Sequence, residues 1–497
     1  MHPTVGAADA PMAEAEKVDM LMAVVRPCFA EFVGTFILAF AIGCTHMLTS
    51  MTELYLRWVP TAQAAAVMGL TYLFGPVSGG NFNPAISLAM GICGKLPWVS
   101  VGIYIPVQLF AAALGALTVA GAFNSYAPVL PQQGVTSLAS LEVVFTMLLC
   151  FVFINCCAGR RNNPPEDYNH FFGMAVGFVV LAAGYTIGPL DGASLNPAVA
   201  IGYAAGQSPS CVLGYVMLQL LGALLGAVLF VAARPEDYLE ASDAELASFR
   251  ASMWTRLLIE FTGSFIVVLT FGMATFMAAA TQTQAAPLAV SAVLVALIYA
   301  SVNISGAHFN PAVTLAVVLS GRNKVAGASG ALYVAVQLLG AGFAALALTG
   351  YHAAFPAVRL IAFGTGPLQP FAWEAAACVE LIFTFLLAFI QLAVETVTMP
   401  YSFTSMNFFF GLAIGMCFAI GGFIGGLVSG GHLNPALSLG LALEGGMSSA
   451  RVMPPPFYHC MWYTVCQLMG AAGASLLFRF THPQEYPQSK LTALLQY

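Results

Sequence analysis

Apolar residues run in blocks of about 20 along the whole chain, each block closed by a short polar or glycine-rich break. As a helix, such a block crosses a hydrocarbon core roughly 30 Å thick. The pattern predicts spans near 22–47, 61–79, 99–123, 138–158, 170–189 and 211–233, then near 255–279, 286–304, 326–350, 373–396, 404–427 and 457–480. Four other apolar runs, of only ~10 residues, are too short to span. Each opens on the same tripeptide: Asn83-Pro84-Ala85, Asn196-Pro197-Ala198, Asn310-Pro311-Ala312 and Asn434-Pro435-Ala436. Asn is a strong N-cap, and Pro at the first helical position loses no backbone donor, so each copy starts a helix. A half-length helix at membrane depth is tolerated where it is buried in protein or lines a cavity. The pattern therefore predicts half-helices that enter from opposite sides and meet in the middle.

One copy alone would be an ordinary capped helix. Four copies, 113, 114 and 124 residues apart, make the chain a fourfold near-repeat. Ala30-Glu31-Phe32-Val33-Gly34-Thr35-Phe36 returns as Ile259-Glu260-Phe261-Thr262-Gly263-Ser264-Phe265, and Leu141-Glu142-Val143-Val144-Phe145-Thr146 returns as Val379-Glu380-Leu381-Ile382-Phe383-Thr384. A Glu precedes each motif Asn by 50 to 54 residues (Glu31, Glu142, Glu260, Glu380), and a Gln follows in the next span (Gln108, Gln219, Gln337, Gln467). Gly173/Gly177 and Gly411/Gly415 share a spacing suited to close helix contact. Three spans separate successive motifs, and an odd number inverts one copy relative to the last. The expected fold is an all-α polytopic membrane protein of two units, each with six transmembrane helices and two re-entrant half-helices, 12 spans in total.

The domain reading is a cytosolic tail over 1–21, a first unit over 22–233, a charged cytosolic linker over 234–252, a second unit over 253–480 and a cytosolic tail over 481–497. Arg234 to Arg250 holds seven charged residues of the 36 in the chain, and Ser242-Asp243-Ala244-Glu245 has the form of a capping box. With both termini cytosolic, twelve of the fifteen Lys and Arg fall inside, leaving Arg57, Arg359 and Arg451 outside, as the positive-inside rule prefers. The acidic start, with Asp9, Glu14, Glu16 and Asp19, makes a poor signal peptide.

Composition agrees with a bilayer protein. The 497 residues are 59% hydrophobic and 7% charged, against roughly 25% charged in soluble domains. A net charge of −6 suggests no nucleic-acid partner. Of eleven cysteines, Cys28, Cys44, Cys150, Cys378 and Cys417 lie inside apolar runs, where a small buried thiol is expected. No nucleophile elbow, phosphate loop or His-Cys cluster is present, so the sequence points away from an enzyme and implies no cofactor. His308 and His432 stand just before a motif, but neither has a sequence-near partner, so no metal is expected. Two half-helices aiming their N-termini at one another place positive dipole ends and two Asn donors in mid-passage. That favours a neutral hydrogen-bonding solute and opposes cations. An intramembrane carboxylate is expensive. The four glutamates read either as proton carriers of a coupled transporter or as loop-supporting acceptors for irregular backbone, and their matched repetition favours support.

The paired motifs, the Ala-Glu-Phe-x-Gly-Thr opening, the repeated Glu and Gln and the inverted six-span unit resemble the aquaporin family (major intrinsic proteins), twice over. The resemblance implies a tandem double aquaporin, a pore in each unit, and a homodimer giving a tetramer-like four-pore assembly in the lipid bilayer. Family members usually carry Arg straight after the second motif. Here Val199 and Leu437 stand there. Counting back from the motifs, the other selectivity-filter positions are Gln63, Gly184 and Ala193, then Val290, Gly422 and Gly431. Such small and aliphatic residues imply a wider, less polar constriction that passes water and small neutral solutes of glycerol or urea size, with ammonia and hydrogen peroxide as further candidates. A solvated loop carboxylate is the plainer reading of Asp191, selectivity the other. Closed units serving assembly, a proton-coupled transporter and an ion channel remain as alternatives.

Overall fold

The computed structural model describes residues 9–49, 58–127, 129, 140–165, 169–205, 207–281, 285–354, 363–397, 409–448 and 455–486. The first half comprises α1 (Asp9–Thr49), α2 (Val59–Ser78), the half-helix α3 (Pro84–Ile92), α4 (Trp98–Phe123), α5 (Ser140–Phe153), α6 (Phe172–Thr186), the half-helix α7 (Pro197–Gly202) and α8 (Pro209–Ala233). A short helix, α9 (Asp243–Ser248), lies in the linker, where Ser242 and Glu245 form a capping box. The second half repeats the order: α10 (Met253–Thr281), α11 (Ala286–Ser305), the half-helix α12 (Pro311–Leu319), α13 (Gly327–Ala354), α14 (Trp373–Val394), α15 (Phe410–Gly425), the half-helix α16 (Pro435–Met447) and α17 (Tyr458–Thr481). Among the described residues, nine helices are long and apolar enough to cross a membrane. The 20-residue α2 and the shorter α6 and α15 occupy the places of the other three expected spans.

The repeat governs packing. In the first half α1 packs on α4, α5 on α8 and α2 on α6; in the second, α10 packs on α13, α14 on α17 and α11 on α15. Glycine makes these approaches close. A Cβ on Gly222, Gly340 or Gly470, each three residues past a repeated Gln, would stand 2.8, 2.6 or 2.4 Å from the carbonyl oxygen of Val143, Phe261 or Leu381. Those carbonyls belong to the residues just after the repeated Glu. Similarly, a Cβ on Gly177 would lie 2.8 Å from Met68, and one on Gly415 2.3 Å from Val295. The glycine pairs therefore seat α6 on α2 and α15 on α11.

The two halves meet where α6 packs on α11, with α5 also beside α11 and with α6 and α8 beside α10. Phe171 stacks on Tyr299 at 4.4 Å between centroids. The charged linker joins this seam. Arg234 is 1% exposed. It donates to Asn155 Oδ1 (2.8 Å), pairs with Glu236 (3.3 Å) and reaches the Ala300 carbonyl of the second half (3.1 Å). A buried guanidinium is tolerable when its donors are matched in this way. Arg161 donates to the Asn303 carbonyl at 2.7 Å, and Asn303 donates to Asn162 Oδ1 at 2.9 Å.

Helix begins at Asp9, within the expected tail, and the apolar span inside it is Met22–Leu48. Two expectations need correction. The second half-helix has six residues rather than ~10, because Gly202 abuts the Ala112 backbone and the Tyr203 hydroxyl reaches the Ala39 carbonyl (2.8 Å). Of the five cysteines expected to be buried, only Cys150 is; Cys378 is exposed and the other three are half-buried, since their helices present outer faces. Arg57, Arg359, Arg451, residues 404–408 and most of the C-terminal tail lie outside the described residues.

Candidate functional site: paired half-helices and their frames

Each motif Asn performs two tasks. Its Oδ1 accepts from the backbone N–H of the motif Ala at 2.9 Å, capping the half-helix. Its Nδ2 donates across to the opposing loop: Asn83 to the Leu195 carbonyl (2.9 Å), Asn196 to Phe82 (2.9 Å), Asn310 to Leu433 (3.0 Å) and Asn434 to Phe309 (3.0 Å). The half-helices thus meet nose to nose in both halves. An amide nitrogen has two N–H donors, so each Asn keeps one beyond the crossing bond. Pro84, Pro197, Pro311 and Pro435 are buried first-turn residues, and Ala85, Ala198, Ala312 and Ala436 are fully buried.

The loops leading into the motifs carry left-handed residues at Phe82, Leu195, Phe309 and Leu433, which turn successive N–H groups to one side. Glutamate collects them. Glu31 accepts from Ser78 Oγ (2.7 Å), Asn81 N (3.0 Å), Phe82 N (2.7 Å) and Gln108 Nε2 (2.8 Å). Glu260 repeats this with Ser305, His308 N, Phe309 N and Gln337 at 2.6–3.0 Å. Glu380 does so with Ser429, His432 N, Leu433 N and Gln467 at 2.7–2.9 Å. Glu142 accepts three such bonds, from Ser194 N, Leu195 N and Gln219 at 2.9–3.1 Å. The place of the fourth donor is held by Asp191, whose side chain lies outside the described residues.

A narrow cavity of about 40 Å³ touches both Asn83 and Asn196 and is lined by Ile42, Gln63, Thr71, Phe153, Val180 and Ala193, among others. At ~10–15 Å³ per water centre it holds about three waters. Gln63 and Ala193 therefore lie on this cavity, with Gln63 Nε2 donating to Thr45 Oγ1 at 3.3 Å. Val199 and Leu437 are fully buried. A Cβ on Gly184 would fall 2.6 Å from Pro60, and one on Gly422 2.7 Å from Pro287. A side chain at either position would press on that proline, so these glycines are packing requirements. Val290 is fully buried and Gly431 has a left-handed φ of 65°. At the places of Ile42 and Val180 the second half has Phe271 and Phe418, and Phe271 stands edge-on to His432 at 5.6 Å. His308 Nδ1 faces Thr314 Oγ1 and His432 Nδ1 faces Ser438 Oγ, both at 3.1 Å.

One repeated element escaped the sequence reading. Beyond the last span of each half, Pro235-Glu236-Asp237-Tyr238 and Pro483-Gln484-Glu485-Tyr486 turn back onto the first half-helix. Tyr238 donates to the Cys93 carbonyl (3.1 Å) and Tyr486 to the Ser320 carbonyl (2.8 Å), at the C-terminal ends of α3 and α12. Asp237 pairs with Lys95 at 2.6 Å, and Glu485 with Arg322 at 3.4 Å. Proline followed by acid and tyrosine, just past each final span, was the available signal.

Comparison with known proteins identifies the family. The Major intrinsic protein family profile matches residues 17–206, 142–294, 247–428 and 401–495. The chain belongs to that family, whose members are membrane channels rather than enzymes. Aquaporin NIP1-1 of Oryza sativa subsp. japonica is 30% identical over 211 residues, 41% of this chain and 72% of that protein. Nodulin-26 of Glycine max is 28% identical over 247 residues, 47% of this chain and 88% of that protein. The X-ray structure of the aquaglyceroporin from Plasmodium falciparum covers 47% of this chain and 99% of its own, at 21% identity and a TM-score of 0.41. Each relative therefore matches less than half of a chain that the family profile matches nearly end to end.

Proposed function

We propose that the chain is a passive channel for water and small uncharged solutes, with two units at 22–233 and 253–480 and with the first unit carrying most of the flux. The observation that carries this reading is the cavity that touches Asn83 and Asn196 where their half-helices meet. There the positive ends of two helices and two amide donors favour a neutral oxygen and oppose a cation. A cavity with room for about three waters suits single-file water best. Glycerol- or urea-sized solutes, ammonia and hydrogen peroxide are the further candidates, because Val199 and Leu437 supply no fixed cation. In the second unit Phe271 and Phe418 make the corresponding passage the tighter one.

The glutamates act in this reading as fixed supports. With both oxygens of each carboxylate already accepting bonds from loop and Gln donors, a proton carrier that changes partners is disfavoured. A homodimer is supported by the seam. The first half uses α5 and α6 and the second uses α10 and α11, which leaves the equivalent α14/α15 and α1/α2 faces to a second chain. Those faces expose Ile420, Phe423, Leu73 and Val77. Two chains would then present four units in a ring, with termini and linker on the cytosolic side.

Osmotic shrinkage of proteoliposomes in sucrose, followed by re-swelling in glycerol and urea, tests the reading. Fast water flux is expected, and any re-swelling should be suppressed by Val199→Arg and Leu437→Arg before water flux is. No excess flux of any solute over protein-free liposomes would overturn it.

A further inference from the structure

The α14–α17 groove of the second unit holds a cavity of about 370 Å³ that the channel reading does not use. That size falls in the lower part of the range for small-molecule sites, roughly 300–1,000 Å³. Its lining includes Trp373, Glu374, Tyr458, His459 and Trp462, from the first turn of α14 and the first two turns of α17. It lies where the apolar spans Trp373–Val394 and Tyr458–Thr481 begin. Trp373, Tyr458 and Trp462 are 39%, 58% and 61% exposed. His459 orders the aromatics: its Nδ1–H donates to the Thr365 carbonyl (2.8 Å), and Trp373 and Tyr458 stand edge-on to its ring at 4.5 and 4.6 Å. Glu374 is exposed and has no hydrogen-bond or ion-pair partner among the described residues.

Interfacial aromatics alone are ordinary anchors at a membrane boundary. Two observations set this group apart. The first unit has Val135, Thr136, Ser210 and Gly214 where the second has Trp373, Glu374, Tyr458 and Trp462, counting from the repeated Glu and Gln. A generic anchor would be needed by both units. Moreover, π faces combined with an unpaired carboxylate form the chemistry that recognises a quaternary ammonium, through cation–π attraction and charge. Along the same two helices, exposed Ile382, Val465 and Met469 offer an apolar track for acyl chains. We propose that this groove binds the choline headgroup of a phosphatidylcholine from the surrounding leaflet. A second chain need not cover it. In the first unit Ser210 is exposed and Gly214 half-buried even with the other half docked alongside.

Native mass spectrometry of the detergent-purified full chain tests this, with phosphatidylcholine, phosphatidylethanolamine and phosphatidylglycerol of matched acyl chains. The expected result is retention of phosphatidylcholine about three- to tenfold above phosphatidylethanolamine. Glu374→Gln and Trp462→Ala should lower it to the phosphatidylethanolamine level, while Trp462→Phe retains most of it. Water flux and melting temperature should stay unchanged, which separates loss of the site from loss of fold. Equal retention of all three headgroups, a preference for phosphatidylglycerol, displacement by a sterol alone, or indifference to both variants would each overturn the proposal.

Discussion

In the first half, the cavity beside Asn83 and Asn196 is walled by Ile42, Val67, Thr71, Phe153 and Val180. The second half puts Phe271, Leu294, Ile298, Gln391 and Phe418 at the matching places. The scaffold around them differs far less: the same Asn crossings, the same Glu frames and the same Tyr clamps recur with bond lengths agreeing within a few tenths of an ångström. Backbone geometry is held by the buried hydrogen-bonded residues, and the lumen is left to vary. Two units of one chain can therefore share a fold and differ in conductance.

The largest effects are expected at the frames. Each buried N–H that loses its acceptor costs about 1–3 kcal/mol. Glu31→Ala, Glu260→Ala and Glu380→Ala, with four donors orphaned, should abolish recoverable folded protein in detergent, as read by size-exclusion chromatography. Glu142→Ala orphans three donors and should be the mildest of the four. A result with Glu142 the most sensitive would show that Asp191 makes its quarter special.

Smaller effects are expected at the clamps. Tyr238→Phe and Tyr486→Phe each remove one hydroxyl hydrogen bond, worth about 1 kcal/mol, and should lower thermal stability alike. The acidic partners should not be alike. Arg322 keeps contacts to Thr396 and to the Phe478 ring, at 4.2 Å from the ring centroid, when Glu485 is neutralised. Lys95 has only the more distant Phe230 ring, at 5.9 Å, and no second ion-pair partner among the described residues. Asp237→Asn should therefore lower the melting temperature more than Glu485→Gln.

The smallest predicted effect is one of pH. Glu395, just past α14, replaces Cys157 of the first unit. Burial pushes its carboxyl from 4.5 up to about 7, against the opposing pull of Gln391, Lys324 and Arg322. A carboxyl raised by folding favours the folded state most below pH ~4.5, and that contribution is lost as pH rises through about 7. Melting temperature should therefore fall from pH 5 to pH 8 more steeply in the native protein than in Glu395→Gln.

Much of this was legible in the sequence. Helix positions followed from apolar run length, since a bilayer fixes how long a span must be. The frames were visible as Glu and Gln at matched distances from each motif, because the same loop geometry needs the same acceptor four times. The filter was harder to read. Gly184 and Gly422 look like open space in a sequence, yet they mark where Pro60 and Pro287 press against a helix. Residue size cannot say which neighbour fills the vacancy. The buried role of Arg234 was hidden for a similar reason, since a charge run reads as solvated until its partners, Asn155 and the Ala300 carbonyl, are brought from distant spans.

The proposed route for water runs mainly through the first unit. Stopped-flow light scattering on proteoliposomes carrying the native chain, Gln63→Trp or Val290→Trp, each checked for intact assembly, addresses that claim. Gln63→Trp should remove most of the protein-mediated water permeability while Val290→Trp leaves most of it. Full permeability in Gln63→Trp, or its loss in Val290→Trp alone, would contradict the account.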